Sequence, residues 1–206
     1  TDVAAPAGLL RRLLRDAAED TFNQISVDGD MSTNDTVFLL ASGRSGVVLR
    51  EGSGSARTFA RMLQAVTATL ARRLVEDGEG ATRLMAVEVA GARNERDAQS
   101  CARAVACSPL VKTMLAGGDP NVGRLAAAVG ASPARFNPDR LDIFISGCRV
   151  VARGCAVRVG KAVARQLVRR PEVAVRIHLH AGRAAGRMLT CDLTEAYVRI
   201  NARFST

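Results

Sequence analysis

Apolar positions recur every three or four residues in four stretches of the chain, and this spacing predicts amphipathic α-helices. The predicted helices cover residues 9–18, 59–75, 94–107 and 122–129. Glu95 and Asp97 fall in the first turn of the third helix, where negative charge is favourable. Pro120 precedes the fourth, in keeping with the preference of proline for helix starts. Polar and glycine-bearing stretches at residues 22–35 and 43–55 are typical of turns and loops.

Short apolar or alternating runs predict β-strands, most of them late in the chain. They cover residues 36–40, 84–89, 141–145, 149–152, 173–180, 187–191 and 196–201. Helices early and strands late, without strict alternation, favour an α+β layered fold over a doubly wound sheet. Residues 1–206 are predicted to form a single chain with a helix-rich part over 1–130 and a strand-rich part over 131–206.

Composition limits the class of protein. Hydrophobic residues make up 48% and charged residues 24%, which is globular rather than disordered composition. Aromatic residues make up only 3%, so the core is expected to consist of Ala, Val, Leu and Ile. No run of about 18 apolar residues occurs, which argues against a membrane-spanning helix. The opening residues lack the basic and apolar regions of a signal peptide, so a cytoplasmic location is expected.

The net charge of +9 is weaker support for nucleic-acid binding than its size implies. Lys112 and Lys161 are the only lysines, and the arginines are scattered in pairs rather than gathered in one run. Few aromatic side chains are present to stack on bases, which single-strand and RNA binders need. We therefore expect no nucleic-acid partner. A non-catalytic basic binding protein and a partner chain that supplies acidic charge are kept as remote alternatives.

Cysteine and histidine give no metal or cofactor signature. The five cysteines are odd in number and none is in C-x-x-C spacing, which fits neither a zinc ribbon nor a disulfide framework. His178 and His180 lie two apart in a predicted strand and so share one face. No Cys, Asp or Glu lies nearby in sequence to complete a site. Packing or surface roles are therefore preferred, and no metal and no cofactor are expected.

Residues 117–124 (GGDPNVGR) open a predicted helix, where backbone amides can bind an anion. The segment lacks the Gly-Lys-Ser/Thr ending of a P-loop and the spacing of a dinucleotide fingerprint. A loop followed by a helix cap is the favoured interpretation.

Three longer strings together resemble the ornithine acetyltransferase (glutamate N-acetyltransferase) family, specifically its C-terminal β chain. They are FNQISVDGD at residues 22–30 with STNDT at 32–36, SPLVKT at 108–113 with GDPNVGR at 118–124, and AYVRINA at 196–202. Their order and approximate spacing match the family from residue 1 to residue 206. Because each string is long, the resemblance is specific.

The resemblance implies an N-terminal-nucleophile-like fold and an enzyme of arginine biosynthesis. Family members are made as one precursor that cuts itself before a threonine, and the α and β chains stay together, usually as an α2β2 heterotetramer. The freed threonine takes acetyl from N-acetylornithine and passes it to glutamate by a ping-pong mechanism, and some members also use acetyl-CoA. Its base is its own α-amine, and donors from the α chain stabilise the oxyanion. No cofactor, nucleic-acid partner or membrane is implied.

The same resemblance indicates that Thr1 is not the nucleophile. In the family, a short apolar segment separates the nucleophile from a Thr-Asp-Ala-like sequence that leads into the first helix. Thr1 and Asp2 match that later Thr-Asp. The nucleophile is therefore expected upstream of residue 1, and no catalytic residue is assigned within the chain.

Three residues match substrate contacts of the family. Glu79 falls on a substrate-binding glutamate, whose carboxylate suits the ammonium group of a substrate. Asn201 and Thr206 fall on two C-terminal contacts. Without the resemblance, Glu79 would be interpreted as a solvated glutamate at a helix end. Asn201 would be an asparagine at a strand edge, and Thr206 would be a frayed chain terminus. The family motifs favour the binding roles.

Four departures from the family bear on the choice of acceptor. Met31 stands where a small hydroxyl residue is common, and Val122 stands where tryptophan is usual. Arg203 and Phe204 replace an acidic residue and a tyrosine close to Asn201. The added positive charge beside the expected site keeps open a second interpretation, a paralogous acyltransferase or amidohydrolase of secondary metabolism.

Overall fold

The computed structural model describes residues 1–203. The chain divides into two compact units. The first comprises residues 1–25 and 30–73, and the second comprises residues 26–29 and the chain from Leu74 onward. No helix within the described range combines the length and the apolar character needed to cross a membrane.

Two α-helices dominate the described first unit. They are α1 (Ala7–Asp20) and α2 (Gly54–Glu76, of which the residues up to Arg73 belong to this unit), with a 3₁₀ turn at Phe22–Gln24. Leu9, Leu49 and Ala56 form its small buried core. Ser53 caps α2, because its Oγ accepts a hydrogen bond from the Ala56 amide at 3.1 Å. Both predicted helices are confirmed, and α2 begins more than one turn earlier than its apolar pattern indicated.

The strand predicted at residues 36–40 is wrong. This segment has no regular secondary structure, and Phe38 and Leu40 are 79% and 76% exposed. A strand needs a hydrogen-bonded neighbour along its length. Within residues 1–203 the segment belongs to no sheet. Residues 36–40 have the apolar and β-branched sequence of a strand, but in the described chain no neighbouring strand pairs with them.

A mixed sheet of seven strands forms the centre of the described second unit, to which all residues of the sheet except Ile25 belong. They are β1 (Ile25–Ser26), β2 (Leu84–Ala92), β3 (Asp142–Ile145), β4 (Cys148–Ala152), β5 (Cys155–Ala156), β6 (Glu172–His178) and β7 (Ala184–Cys191). Their order across the sheet is β1-β7-β2-β6-β3-β4-β5. β2 and β6 are parallel, with Val87 opposite Val175. The pairs β2–β7, β3–β6, β3–β4 and β4–β5 are antiparallel. The five strands predicted between residues 84 and 191 are confirmed.

Five helices accompany this sheet in the part of the unit that the structure describes. They are α3 (Glu95–Ala106), α4 (Pro109–Gly117), α5 (Val122–Gly130), α6 (Lys161–Val168) and α7 (Glu195–Arg203). α3 packs on β2 and β7, and its buried Cys101 and Val105 join Val87 in one apolar core. On the other face of the sheet Glu88 of β2 lies between Arg176 of β6 and Arg187 of β7. The architecture is a mixed α+β fold with a single sheet, as the order of elements predicted.

Two of these helices differ from the predictions made from the sequence. The strand predicted at residues 196–201 is part of helix α7, although β-branched Val198 and Ile200 favour strand geometry in isolation. Glu195 lies in the first turn of that helix, where a carboxylate is stabilising. α4 was not predicted, although Ser108 caps it and Pro109 occupies its first position.

Candidate substrate site

Glu79 and Asn201 lie side by side although 122 positions separate them in sequence. Asn201 Nδ2 donates a hydrogen bond to Glu79 Oε2 at 2.5 Å and another to the Tyr197 carbonyl at 3.1 Å. Both side chains belong to exposed residues. The second Glu79 carboxylate oxygen and the Asn201 amide oxygen can therefore accept hydrogen bonds from a cationic group.

The turn that carries Glu79 packs closely on the start of α7. Gly80 has a φ of +67°, and a Cβ at this position would lie 2.7 Å from the backbone nitrogen of Tyr197. Only glycine suits both the left-handed conformation and this approach. Thr194 Oγ1 donates a hydrogen bond to the Gly80 carbonyl at 2.7 Å. Glycine at position 80 thus allows α7 to come close enough for Asn201 to reach Glu79.

Asp192 holds the other end of the same turn. Asp192 is 3% exposed, and its carboxylate accepts three hydrogen bonds. Thr82 donates from its amide at 2.8 Å and from Oγ1 at 2.5 Å, and Arg83 donates from its amide at 3.1 Å. A buried carboxylate is costly unless donors satisfy it. These bonds fasten the chain that enters β2 to the residue that follows β7.

Lys112 of α4 is buried against the end of β7, at 1% exposure. Its Nζ donates hydrogen bonds to Thr190 Oγ1 at 2.9 Å and to the Cys191 carbonyl oxygen. Burial lowers the pKa of Lys112, and the neighbouring Cys191, Cys107 and Asp192 oppose that shift. Burial likewise raises the pKa of the Cys191 thiol. Lys112 therefore joins two elements and is not available as a surface cation.

Residues 26–29 contact both α7 and the end of β7. Tyr197 donates from its hydroxyl to Asp28 Oδ2 at 3.0 Å. The Cys191 thiol lies 3.8 Å from the Val27 carbonyl oxygen. Parts of all three strings that carried the family resemblance thus meet in the second unit.

Several residues singled out from the sequence lie elsewhere. Thr206 and Phe204 fall outside the described residues, so the structure says nothing of the proposed Thr206 contact. Thr1 and Met31 belong to the first unit, and Met31 is 92% exposed. Arg203 is exposed at the end of α7.

Asp192 and Lys112 were missed by sequence reasoning, although each carried a signal. Lys112 is a single charge within an apolar helix pattern, next to buried Val111 and Met114. Asp192 directly follows an apolar strand. Such positions are candidates for buried and paired charges, but their partners are distant in sequence and could not be named.

The two histidines occupy a different place, at the end of β6. His180 Nε2 lies 2.9 Å from Asp142 Oδ2, and the two histidine rings lie 3.8 Å apart between centroids. The sequence offered no acid within local reach, but pairing of β3 with β6 places Asp142 opposite His178. The acid therefore comes from a neighbouring strand. Burial, followed by the charge of His180, lowers the pKa of His178.

Asp142 also anchors an arginine-lined cleft of about 510 Å³. It accepts hydrogen bonds from Arg149 Nη2 at 2.6 Å and from the Arg153 amide at 2.9 Å. Burial alone would raise the pKa of Asp142, but these donors and His180 lower it well below its usual range. Among residues 1–203 no group of three or more His, Cys, Asp and Glu side chains could hold a metal ion.

The GGDPNVGR segment forms a loop between two caps. Gly118 ends α4 with a φ of +60°. Asn121 caps α5, since its Oδ1 accepts from the Arg124 amide at 3.2 Å. The loop-and-cap interpretation is confirmed.

The chain is similar in structure and in sequence to arginine-biosynthesis proteins. The crystal structure of the arginine biosynthesis bifunctional protein ArgJ from Bacillus halodurans has a TM-score of 0.91 to this chain at 36% identity, and the match covers 98% of this chain and 96% of that chain. The described chain therefore has the fold of this arginine biosynthesis bifunctional protein.

The family model described as the ArgJ family matches residues 1–206. The arginine biosynthesis bifunctional protein ArgJ of Symbiobacterium thermophilum is 44% identical, and the glutamate N-acetyltransferase of Methanopyrus kandleri is 47% identical. Both matches cover 100% of this chain but only 52% and 54% of the relatives. The chain belongs to the ArgJ family and spans about half the length of these relatives.

Proposed function

We propose that the full-length protein is a glutamate N-acetyltransferase that moves acetyl from N-acetylornithine to glutamate in arginine biosynthesis. The observation that carries the proposal is the Glu79–Asn201 hydrogen bond, made by two residues that match substrate contacts of the family. An amino-acid substrate presents an ammonium group, which needs acceptor oxygens and gains most from a charged one. Glu79 and Asn201 offer such oxygens at one place on the surface.

In this proposal residues 1–206 belong to the β chain of a self-cleaved precursor with an N-terminal-nucleophile-like fold. The ArgJ and glutamate N-acetyltransferase relatives are about twice as long, yet the solved Bacillus halodurans chain has nearly the same length as this one. That difference supports a division of the full-length protein into two chains. The α chain is the proposed partner in a cytoplasmic α2β2 heterotetramer.

The proposed reaction is a two-step acyl transfer without a cofactor. The hydroxyl of a threonine upstream of Thr1 attacks the acetyl carbonyl of N-acetylornithine, and its proton passes through the α-amine of that threonine to the leaving amine of ornithine. The amine of glutamate then attacks the acyl-threonine ester and releases N-acetylglutamate. Glu79, Asn201 and Thr206 hold the amino-acid part of the substrate during both steps.

Intact masses test this proposal. The protein is purified from its complete precursor, incubated with N-acetylornithine, and analysed by mass spectrometry. We expect two chains, with one acetyl group on a β chain that is longer than residues 1–206. Acetylation of a β chain that begins at Thr1 would instead make Thr1 the nucleophile.

A single uncut and unmodified chain would overturn the transferase proposal. Comparing glutamate with water as acceptor for the acyl-enzyme separates a transferase from an amidohydrolase, which would release acetate at the same rate with or without glutamate.

A further inference from the structure

The arginine-lined cleft of the second unit collects guanidinium groups from three separate segments. Arg140 belongs to the 3₁₀ turn Pro138–Arg140, Arg149 belongs to β4, and Arg153 belongs to the turn that joins β4 to β5. The cavity of about 510 Å³ has the volume of a small-molecule site. Its lining residues are Asp139, Arg140, Asp142, Arg149, Arg153 and His180.

Backbone packing brings two of these segments together. Gly154, which follows Arg153, donates from its amide to the Leu141 carbonyl at 2.8 Å. A Cβ at position 154 would lie 2.6 Å from the Pro138 carbonyl oxygen. The β4–β5 turn therefore lies directly against the turn that carries Arg140, and this close approach places both arginines at one cavity.

Arg153 stands at a position where the turn itself favours other residues. Pairing of Ala152 with Cys155 leaves a two-residue turn, in which Arg153 and Gly154 have φ of +48° and +75°. Positive φ at both central residues is the signature of a type I′ turn, where asparagine, aspartate or glycine is preferred at the first position. Strained non-glycine residues of this kind cluster at functional sites. The guanidinium of Arg153 is thus held at the cleft against local preference.

Asp142 is occupied by donors from within the protein. Its Oδ1 accepts from Arg149 Nη2 at 2.6 Å and from the Arg153 amide at 2.9 Å, and its Oδ2 lies 2.9 Å from His180 Nε2. Three such contacts leave a carboxylate little capacity to accept from a ligand. Asp142 therefore positions Arg149 and His180.

The cleft retains unused hydrogen-bond donors. Within residues 1–203 the side chains of Arg140 and Arg153 have no hydrogen-bond or ion-pair partner, and Arg149 uses one of its five N–H groups on Asp142. Three guanidinium groups face two carboxylates in the lining. The surplus of positive charge and of donors favours an anionic ligand over a cation.

We propose that this cleft binds a small molecule through a phosphate group. A guanidinium donates paired hydrogen bonds to phosphate oxygens in a planar fork. A phosphate monoester has three acceptor oxygens and close to two negative charges at neutral pH, which suits three arginines. A carboxylate has two oxygens and one charge and would leave donors unpaired. The cleft shares no lining residue with the Glu79–Asn201 pair, so this binding goes beyond the proposed acetyl transfer.

Isothermal titration calorimetry of the full-length protein tests the site. Inorganic phosphate and methyl phosphate are titrated separately at about pH 8, where both are dianionic, with chloride holding the ionic strength constant. We expect saturable binding of phosphate groups at one site per chain. Tighter binding of methyl phosphate would support an ester as the ligand, and tighter binding of inorganic phosphate would support the free ion. Absence of binding by both probes would overturn the proposal.

Three substitutions of equal charge change locate the binding. Arg153→Asn removes a guanidinium and places a residue that the turn prefers, while Arg140→Gln removes a second guanidinium from the cleft. Each is expected to raise the Kd for phosphate about 10-fold. Arg158→Gln, at an exposed arginine outside the lining, is the matched control and should change the Kd less than about 2-fold. Equal weakening by all three would show a response to overall charge alone and would overturn the proposed site.

Thermal unfolding separates loss of binding from loss of folding. Without phosphate, Arg153→Asn should have the same Tm as the wild type or a higher one, because asparagine relieves the strain of the left-handed position. Phosphate should raise the Tm of the wild type and of Arg158→Gln more than that of Arg153→Asn. An equal rise in all three proteins would overturn the role of Arg153.

Discussion

Glu79 reaches Asn201 because neighbouring residues hold the chain around them. Gly80 removes the side chain that would keep α7 away, and Asp192 fixes the backbone between Glu79 and β2. The family resemblance named Glu79 and Asn201 as expected substrate contacts, and their side chains lie together. Asp192 could not be named from the sequence, because its role consists of bonds to residues about 110 positions away.

Glu79→Gln tests the charge of the site. Glutamine preserves an acceptor for Asn201 but removes the negative charge, so kcat/KM is expected to fall about 10- to 100-fold, mainly through a higher KM for the amino-acid substrates. Steady-state kinetics with glutamate and N-acetylornithine measure the effect. Asp77→Asn, an equal charge change at an exposed neighbour, is the control and should leave both constants unchanged. Equal effects of the two substitutions would show that only overall charge matters.

Asp142→Asn tests the hydrogen-bonded carboxylate at the arginine-lined cleft. Asparagine removes the negative charge that Arg149 pairs with and replaces one of the two acceptor oxygens with an amide NH2, so the free energy of unfolding is expected to fall by about 2–4 kcal/mol at pH 7. The pKa of Asp142 lies below that of the unfolded chain. Its contribution is therefore complete above about pH 4 and is lost as the pH falls below that value.

The difference between wild type and Asp142→Asn should accordingly shrink below about pH 4. Denaturant unfolding at pH 7 and pH 3 measures it. Asp139→Asn, at an exposed aspartate of the same cleft, should have little effect at either pH. A difference that persists unchanged at pH 3 would contradict the assignment.

At the scale of elements, the junction between the Glu79 turn and α7 positions the candidate site. The sequence of α7 favours a strand by residue type, yet the first turn of the helix packs on Gly80, and the hydrogen bond from Asn201 Nδ2 to the Tyr197 carbonyl spans one helical turn. The choice between strand and helix for this segment was made by tertiary contact. Local propensity is a weak constraint wherever such contacts compete with it.

Gly80→Ala tests this junction. Alanine at a φ of +67°, with its Cβ against the Tyr197 nitrogen, is expected to lower the free energy of unfolding by about 1–3 kcal/mol and to raise KM by moving α7. Gly117→Ala is the matched control, because a Cβ there meets nothing within 4 Å. It lies in helix α4, where alanine should be neutral or stabilising by up to about 1 kcal/mol. Similar losses in both variants would contradict the packing argument.

At the scale of the whole molecule, the two units differ in how completely they cover their apolar residues. The second unit contains the large apolar core of the sheet and its helices. The first unit has a buried core of three residues and exposes Met31, Val37, Phe38, Leu40, Met62, Val66 and Leu70. We propose that the remaining half of the full-length protein covers these residues, because the chain spans about half of its relatives.

Residues 1–206 produced alone are therefore expected to bind a hydrophobic dye and to self-associate. We expect the full-length protein to do neither, since its remaining half is proposed to cover these residues. Dye fluorescence and light scattering at equal molar concentration measure the two effects. A monodisperse fragment without dye binding would contradict the expected coverage.

Hydrophobic periodicity determined the helices at residues 9–18, 59–75, 94–107 and 122–129, the five strands from residue 84 to residue 191, and the mixed α+β class. These features depend on contacts within one element, or on burial of one face, and so they are present in the local pattern. Family motifs added the identity of Glu79 and Asn201.

Only the tertiary structure decided that residues 196–201 are helical, that residues 36–40 lack a neighbour in the described chain, and that Asp142 and Asp192 are held by partners far away in sequence. In each case the outcome depends on which segments meet in space. Hydrogen-bonding partners and close packing between distant residues select one conformation from several that the local sequence allows.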